Sequence, residues 1–203
     1  MNKWSKLSPK PIVEKTIKAL KKNNIDTIYV GTKEEAKAKV LELLPKGSRV
    51  LVGQSQTLEE IGLSNEIENS GNYISVRKEY MALDHEKEKD KIRILRSTPD
   101  IIVGSVHAVT EDGKVLIASN TGSQLASYVS AAGKVIWVVG TQKIVENLDG
   151  GFKRIYDYVL PLESERLKKI YGVPSNVSKL LIFNKEVNPK RVTLIFVNQV
   201  LGF

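Results

Sequence analysis

The chain has 203 residues, a length that provides one full hydrophobic core and is short for two ordinary domains, so residues 1–203 are expected to form a single domain. Apolar and charged residues make up 41% and 27% of it, the balance of a soluble globular protein, and the absence of cysteine excludes disulfides and thiolate metal sites. The formal charge of +8 rests mainly on lysines scattered over helical faces, among them Lys15, Lys18, Lys21, Lys22, Lys37 and Lys39. Such lysines read as a solvated surface. They can also set up a positive field that draws in anionic metabolites. A nucleic-acid surface would show clustered arginines with aromatics or a reader motif, and neither is visible, so nucleic acid is not an expected partner. No apolar run approaches the ~18 residues needed to cross a bilayer, and MNKWSKLSPKPIVEK lacks a signal peptide's apolar core. The expectation is a cytoplasmic protein without membrane insertion.

In chain order, Ser8-Pro9 predicts a helix start, and Val13, Ile17 and Leu20 share one helical face up to Asn23-Asn24, giving a helix over about 9–23. Thr27–Gly31 reads as the first strand. Thr32-x-x-Glu35 is a capping box opening a helix that turns Ala36, Val40, Leu43 and Leu44 inward. Arg49–Val52 is a second strand ending at Gly53, and Thr57-x-x-Glu60 has the pattern of another capping box. A short strand is predicted within 71–76 and a charged helix over 85–97, with Ile92 and Leu95 beneath it.

Ile101–Val103 and Val135–Val139 are β-branched runs, each stopping at a glycine, Gly104 and Gly140. Continuous runs of this kind suit strands covered on both faces. Between them, Glu111-Asp112-Gly113-Lys114 supplies the Asp-Gly of a hairpin turn, and Ser119–Ser123 leads toward a further helix. Leu148, Phe152, Ile155 and Tyr156 mark a late helix, and Leu180–Phe183 and Val192–Val197 are late strands. Trp4 and Trp137 read as packing residues. Alternating strands and helices predict an α/β fold with three layers: a mainly parallel sheet with helices on both faces.

Ligands of open α/β sheets bind beyond the carboxyl ends of the strands. Three loops fit that position: Gly53-Gln54-Ser55-Gln56-Thr57, Gly104-Ser105-Val106-His107 and Asn120-Thr121-Gly122-Ser123. All are expected to converge on one side of the sheet, offering hydroxyl, amide and imidazole groups. Lys143, just past the strand-ending Gly140, is the best cation to reach the same pocket, whereas Arg77 reads as a surface charge and His85 as solvated. His107 could act as base or acid, with hydrogen bonding the preferred role. Glu111 and Asp112 are adjacent and point apart, so they form no acid–base pair.

GSVHAVTEDGKVL, SNTGSQLA and KVIWVVGTQKIV resemble the LUD (lactate utilisation) domain, in particular its short members of about two hundred residues, the lactate-utilisation C-like proteins. VLVGQSQTLEEIGL at Val50–Leu63 and VTLIFVNQVLGF at Val192–Phe203 extend the resemblance from about Val50 to the end. It implies a fold like that of ribose-phosphate isomerases, glucosamine-phosphate deaminases and CoA transferases. It also implies a link to oxidation of lactate to pyruvate alongside iron–sulfur oxidoreductase partners. In those relatives a Gly/Ser/Thr-rich loop after an early strand holds phosphate or a related anion, which the resemblance carries onto Gly53–Thr57.

Sugar-phosphate isomerases of this fold place acidic residues where this chain has Ser105, Val106 and His107, which argues against aldose–ketose isomerisation. Short LUD relatives commonly carry asparagine at this place, and they often read NKIV where this chain has TQKIV. Glu111 remains a weak candidate for the acyl-carrying glutamate of a CoA transferase. Short relatives also often carry cysteines between the late helix and the final strands, and ESERLKKIYGVPSNVSKLLIFNKEV has none, so any electron transfer falls to partners.

The leading expectation is a binding or accessory domain for a lactate- or pyruvate-like anion, with no cofactor and no metal. An enzyme of the transferase or isomerase type is the second reading, and a nucleic-acid binder the third. A homodimer is expected, because fold relatives oligomerise and Leu201 and Phe203 would otherwise lie exposed.

Overall fold

The computed structural model describes residues 2–203. Its strands are β1 (Asp26–Val30), β2 (Arg49–Val52), β3 (Ile74–Ser75), β4 (Ile101–Gly104), β5 (Ala108–Thr110), β6 (Val115–Ser119), β7 (Lys134–Gly140), β8 (Ile144–Val145), β9 (Lys179–Phe183) and β10 (Val192–Val197). The helices are α1 (Lys10–Lys22), α2 (Lys33–Leu43), α3 (Gln56–Glu60), α4 (Leu63–Asn69), α5 (Val76–Met81), α6 (Lys89–Ser97), α7 (Leu148–Arg154) and α8 (Leu160–Tyr171).

Six strands form an all-parallel sheet in the order β1-β10-β7-β4-β2-β3. The apolar runs are continuous because both faces are covered. Ile102, Val135, Trp137, Val139, Leu194 and Phe196 point to one side, where α1 packs through Val13 and Leu20. Ile101, Val103, Ile136, Val138, Ile195 and Val197 point to the other, against Val40, Leu58 and Ile67 of α2, α3 and α4. Period-two alternation along each strand thus divides the core in two. Trp137 lies wholly inside, edge-on to Tyr128 and Phe183 with ring centroids 5.5 and 5.4 Å away.

A second sheet of four strands, in the order β8-β5-β6-β9, lies on the α1 side of the first. The Asp112-Gly113 turn announces its β5–β6 hairpin but not that the hairpin leaves the main sheet. The turn is as expected: Gly113 has φ +83°, and Asn23 at the end of α1 donates its amide to the carbonyls of Asp112 and Gly113. A Cβ on Gly113 would stand 2.8 Å from the backbone of Ala19, so the hairpin tip is seated directly on α1. Ala108, Leu116 and Val145 on the far face of this small sheet pack against Ile155 and Phe152 of the α7–α8 arm. Gly151 permits that approach, since a Cβ there would press on the Leu116 side chain.

Local rules explain most element ends. The Thr32–Glu35 capping box is complete in both directions. Helix α1 instead starts at Pro9 with no side-chain cap, so Ser8 does not play the expected part. The strand expected within 71–76 shrinks to Ile74–Ser75 because the Ser75 hydroxyl caps α5 at Lys78 N–H. Helix α6 starts at Lys89, since the Asp84 carboxylate takes the amides of Glu86 and Lys87 and holds a turn in front of it. Beyond Ser123 the chain makes only a short helical stretch that widens to a π-turn at Ser127–Ala131. A second π-turn, Ile155–Val159, joins α7 to α8 just before Pro161, which has no N–H to give and crowds the preceding turn. Among the described residues no helix is long and apolar enough to cross a membrane.

Candidate functional site

Every strand of the main sheet runs the same way, so the loops after β2, β4 and β7 leave from one edge. They meet the end of β6 and the inner side of the α7–α8 arm around a cavity of about 350 Å³, a size found for small-molecule sites. Gln54, Ser55, Gln56 and Thr57 line it from the first loop, and Ser105, Val106 and His107 from the second. Asn120, Thr121 and Ser123 line it from the third, together with Lys143. The three loops therefore do converge, and the predicted lysine is among them.

The glycines of these loops have another task. A Cβ on Gly104 would overlap the Tyr128 hydroxyl, and one on Gly53 would meet Gln124 and that same hydroxyl. Both make room for the buried Tyr128 ring under the cavity floor rather than lining it themselves. Gly122 turns the third loop at φ +80° beside Lys179. Thr57 is not a helix cap: Ser55 stands at the start of α3, and the expected capping box does not form. The Thr57 hydroxyl donates to Leu201 C=O at 3.3 Å and accepts from Lys143 Nζ at 3.1 Å. Glu60 accepts Gly202 N–H instead.

Lys143 is 3% exposed and donates to Thr57 Oγ1 and, at 3.2 Å, to Ser105 Oγ. Among the described residues no carboxylate pairs with it. Burial, aided by the nearby Arg154 guanidinium, pushes its pKa down to about 7, with Glu60 opposing. Arg154 is fully buried, and its Nη1 donates to His107 C=O at 2.5 Å, while Nε and Nη2 have no protein partner among the described residues. Tyr158 stacks 5.4 Å from this guanidinium. Two cations without counter-ions thus sit behind one wall of the cavity, held by α7 and by the turn after β7.

His107 is held neutral. Burial first, then Lys143 and Arg154, push its pKa down to about 3. Its Nδ1 accepts Ala118 N–H at 3.1 Å, which leaves the proton of the neutral ring on Nε2 as a donor. A ring so far below the neutral range is a hydrogen-bonding group and a poor base.

Glu111 does not join the site: its carboxylate pairs with Lys15 at 2.7 Å on the hairpin turn. Arg77 likewise lies elsewhere, 3.6 Å from Glu68. The carboxylate that does line the cavity is Glu163, tied to Arg166 by two bonds of 2.7 Å. Sequence reasoning misses this arm, together with Leu160, Leu167 and Tyr171, because none of it follows a strand end. It also misses Gln124, Arg154 and Phe203. Leu201 is buried within the chain itself, its carbonyl accepting Gln142 Nε2 at 2.8 Å, and Phe203 turns to the cavity. No group of three or more His, Cys, Asp or Glu side chains is placed to hold a metal among the described residues.

A DUF162 family protein from Deinococcus radiodurans has a similar crystal structure: it aligns with 95% of this chain and 100% of its own, at 15% identity and a TM-score of 0.58. The likeness to eIF2B beta from Chaetomium thermophilum, at 14% identity over 57% of this chain and 43% of that one, has a TM-score of 0.39 and carries no argument. No curated protein matches the sequence. The model of the LUD domain matches residues 13–197, nearly the whole of the folded chain, and the protein belongs to the LUD domain family.

Proposed function

We propose that this LUD domain, a lactate-utilisation-related protein, binds a small organic anion of the lactate or pyruvate type in the cavity and serves lactate utilisation as a binding or accessory component. The observation that carries the reading is Lys143: a buried ammonium with two hydroxyl acceptors and no carboxylate, next to a second unpaired cation, Arg154. An incoming carboxylate supplies the missing counter-charge where water is scarce and a charge-assisted hydrogen bond is strong. The Nε2–H of His107, the Ser105 hydroxyl and the amides of Gln54, Gln56 and Asn120 provide neutral donors for a carbonyl or hydroxyl oxygen. Val106, Ile155 and Leu160 offer apolar contact for the alkyl part. In this reading the electrons of lactate oxidation pass through iron–sulfur partner proteins, as the chain has no cysteine to hold a cluster.

An isomerase or transferase reading finds less support, because Glu111 stands outside the cavity and Glu163 is committed to Arg166. Titration calorimetry with lactate, pyruvate, a sugar phosphate and an acyl-CoA tests the choice. Saturable binding of the two small acids is expected, and a positive thermal shift should accompany it. Binding of the acyl-CoA or the sugar phosphate, with neither small acid bound, overturns the proposal.

A further inference from the structure

Lys143 has more than a counter-charge to offer. Its Nζ is enclosed and faces two hydroxyls in different states. The proton of Thr57 is committed to Leu201 C=O, so Thr57 can only accept from the amine. The Ser105 hydroxyl also accepts from Nζ, but its own proton has no protein acceptor among the described residues, and Ser105 lines the cavity. Nucleophilic nitrogen and proton-bearing oxygen thus stand 3.2 Å apart in the lining of the cavity. With no carboxylate in contact and Arg154 behind it, the amine is poised to lose its proton near neutral pH. These are the conditions under which lysines attack carbonyl carbons.

We infer that Lys143 captures the carbonyl carbon of a 2-oxo acid as a Schiff base. The inference rests on the anion-binding reading of the same cavity. The Nζ lone pair adds to the carbonyl carbon, and the carbonyl oxygen takes a proton, with the Ser105 hydroxyl as nearest donor. Nitrogen gives up a proton to the carbinolamine hydroxyl, the C–O bond breaks, the C=N bond forms, one water leaves, and the remaining iminium proton returns to the Ser105 oxygen. No electrons are transferred, so no oxidant or reductant is needed. A 2-hydroxy acid has no carbonyl carbon beside its carboxylate, so it can occupy the cavity but cannot be captured. The site would then hold the two partners of a hydroxy-acid/oxo-acid couple differently, one reversibly docked and the other linked.

The full-length chain is incubated with pyruvate and cyanoborohydride, and the product is read by intact mass and peptide mapping. One adduct is expected, on Lys143, labelled about a hundredfold faster than surface lysines because its amine is free at neutral pH. Its rate should rise as pH rises through about 7. Ser105→Ala should slow it by roughly tenfold or more, and Lys143→Met should abolish it. Lactate under the same conditions should give no adduct and should slow the labelling by pyruvate. Calorimetric binding of pyruvate and lactate with no reduced adduct overturns the capture step and leaves the anion-binding reading standing. An adduct spread over surface lysines and unchanged in Lys143→Met also overturns capture. Absence of both binding and adduct overturns the two together.

Discussion

Arg191 holds Glu186 at 2.6 Å, and both side chains are closed to solvent. The same guanidinium donates to the carbonyls of Ala132, Ser127 and Tyr128, so one arginine ties the loop before β10 to the π-turn that carries Tyr128. Burial alone would raise the Glu186 pKa, but the amides of Asn188 and Val187 and the Arg191 charge hold it below its ordinary value. Glu186→Ala leaves a buried guanidinium without its anion and is expected to cost about 3–5 kcal/mol in urea unfolding. Glu186→Gln with Arg191→Met should recover part of that loss. A double variant no more stable than Glu186→Ala would show that the arginine's backbone bonds, not its ion pair, carry the stability.

Gly104→Ala drives a methyl into the Tyr128 hydroxyl, and overpacking of this kind costs about 1–3 kcal/mol. Removing the oxygen with Tyr128→Phe should restore part of the stability. A thermal-melt cycle of the two single variants and the double tests the coupling. Strict additivity would mean that the backbone around Gly104 yields instead.

The parallel sheet was readable because Ile101–Val103, Val135–Val139 and Val192–Val197 are apolar on both faces, and only a doubly covered strand demands that. The three loops could be placed because each follows a recognisable strand. Other features depend on contacts remote in sequence. Thr57-x-x-Glu60 has the letters of a capping box, yet Lys143 and Gly202, 86 and 142 residues further on, claim those two side chains. Arg154 sits in FKRIY, between apolar markers of the late helix, and its anchor is a backbone carbonyl at His107 that no local pattern reveals. The second sheet was hidden for a related reason: a hairpin announces itself, but not which sheet it joins.

His107 sets a pH window. Its folded pKa of about 3 lies below the ordinary 6.5, so between these values the unfolded chain binds the proton that the folded one refuses. Stability contributed by the neutral ring is present above 6.5 and lost as pH falls toward 3. The loss should approach about 1.4 kcal/mol per pH unit inside the window. His107→Gln should flatten that part of the stability curve. Parallel curves for the two proteins would mean that the ring is protonated in the fold.

Lys143 should trade stability for binding. Lys143→Met removes a buried, unpaired cation and is expected to stabilise the ligand-free protein by roughly 1–4 kcal/mol below pH 7, where the lysine is charged. The same change should weaken pyruvate and lactate binding tenfold or more, since a charge-assisted bond is worth about 1.5–3 kcal/mol. Arg77→Ala, paired with Glu68 away from the cavity, should leave affinity unchanged. Denaturant melts and calorimetry on the three proteins separate the two effects. Unaltered affinity in Lys143→Met would remove this lysine from the site.

Among the described residues, strand β1 pairs with β10 alone, across some 160 intervening residues. During synthesis the first strand therefore emerges from the ribosome with no neighbour, while β2, β3, β4 and β7 can already assemble beside one another. The sheet can accept β1 only after β10 has slid between it and β7. Until then the core that α1 packs into lacks Val192, Leu194 and Phe196 of β10. Docking of β1 is thus timed by β10, and a ribosome stalled before Val192 should display a nascent chain whose β1 is open to proteases and chaperones.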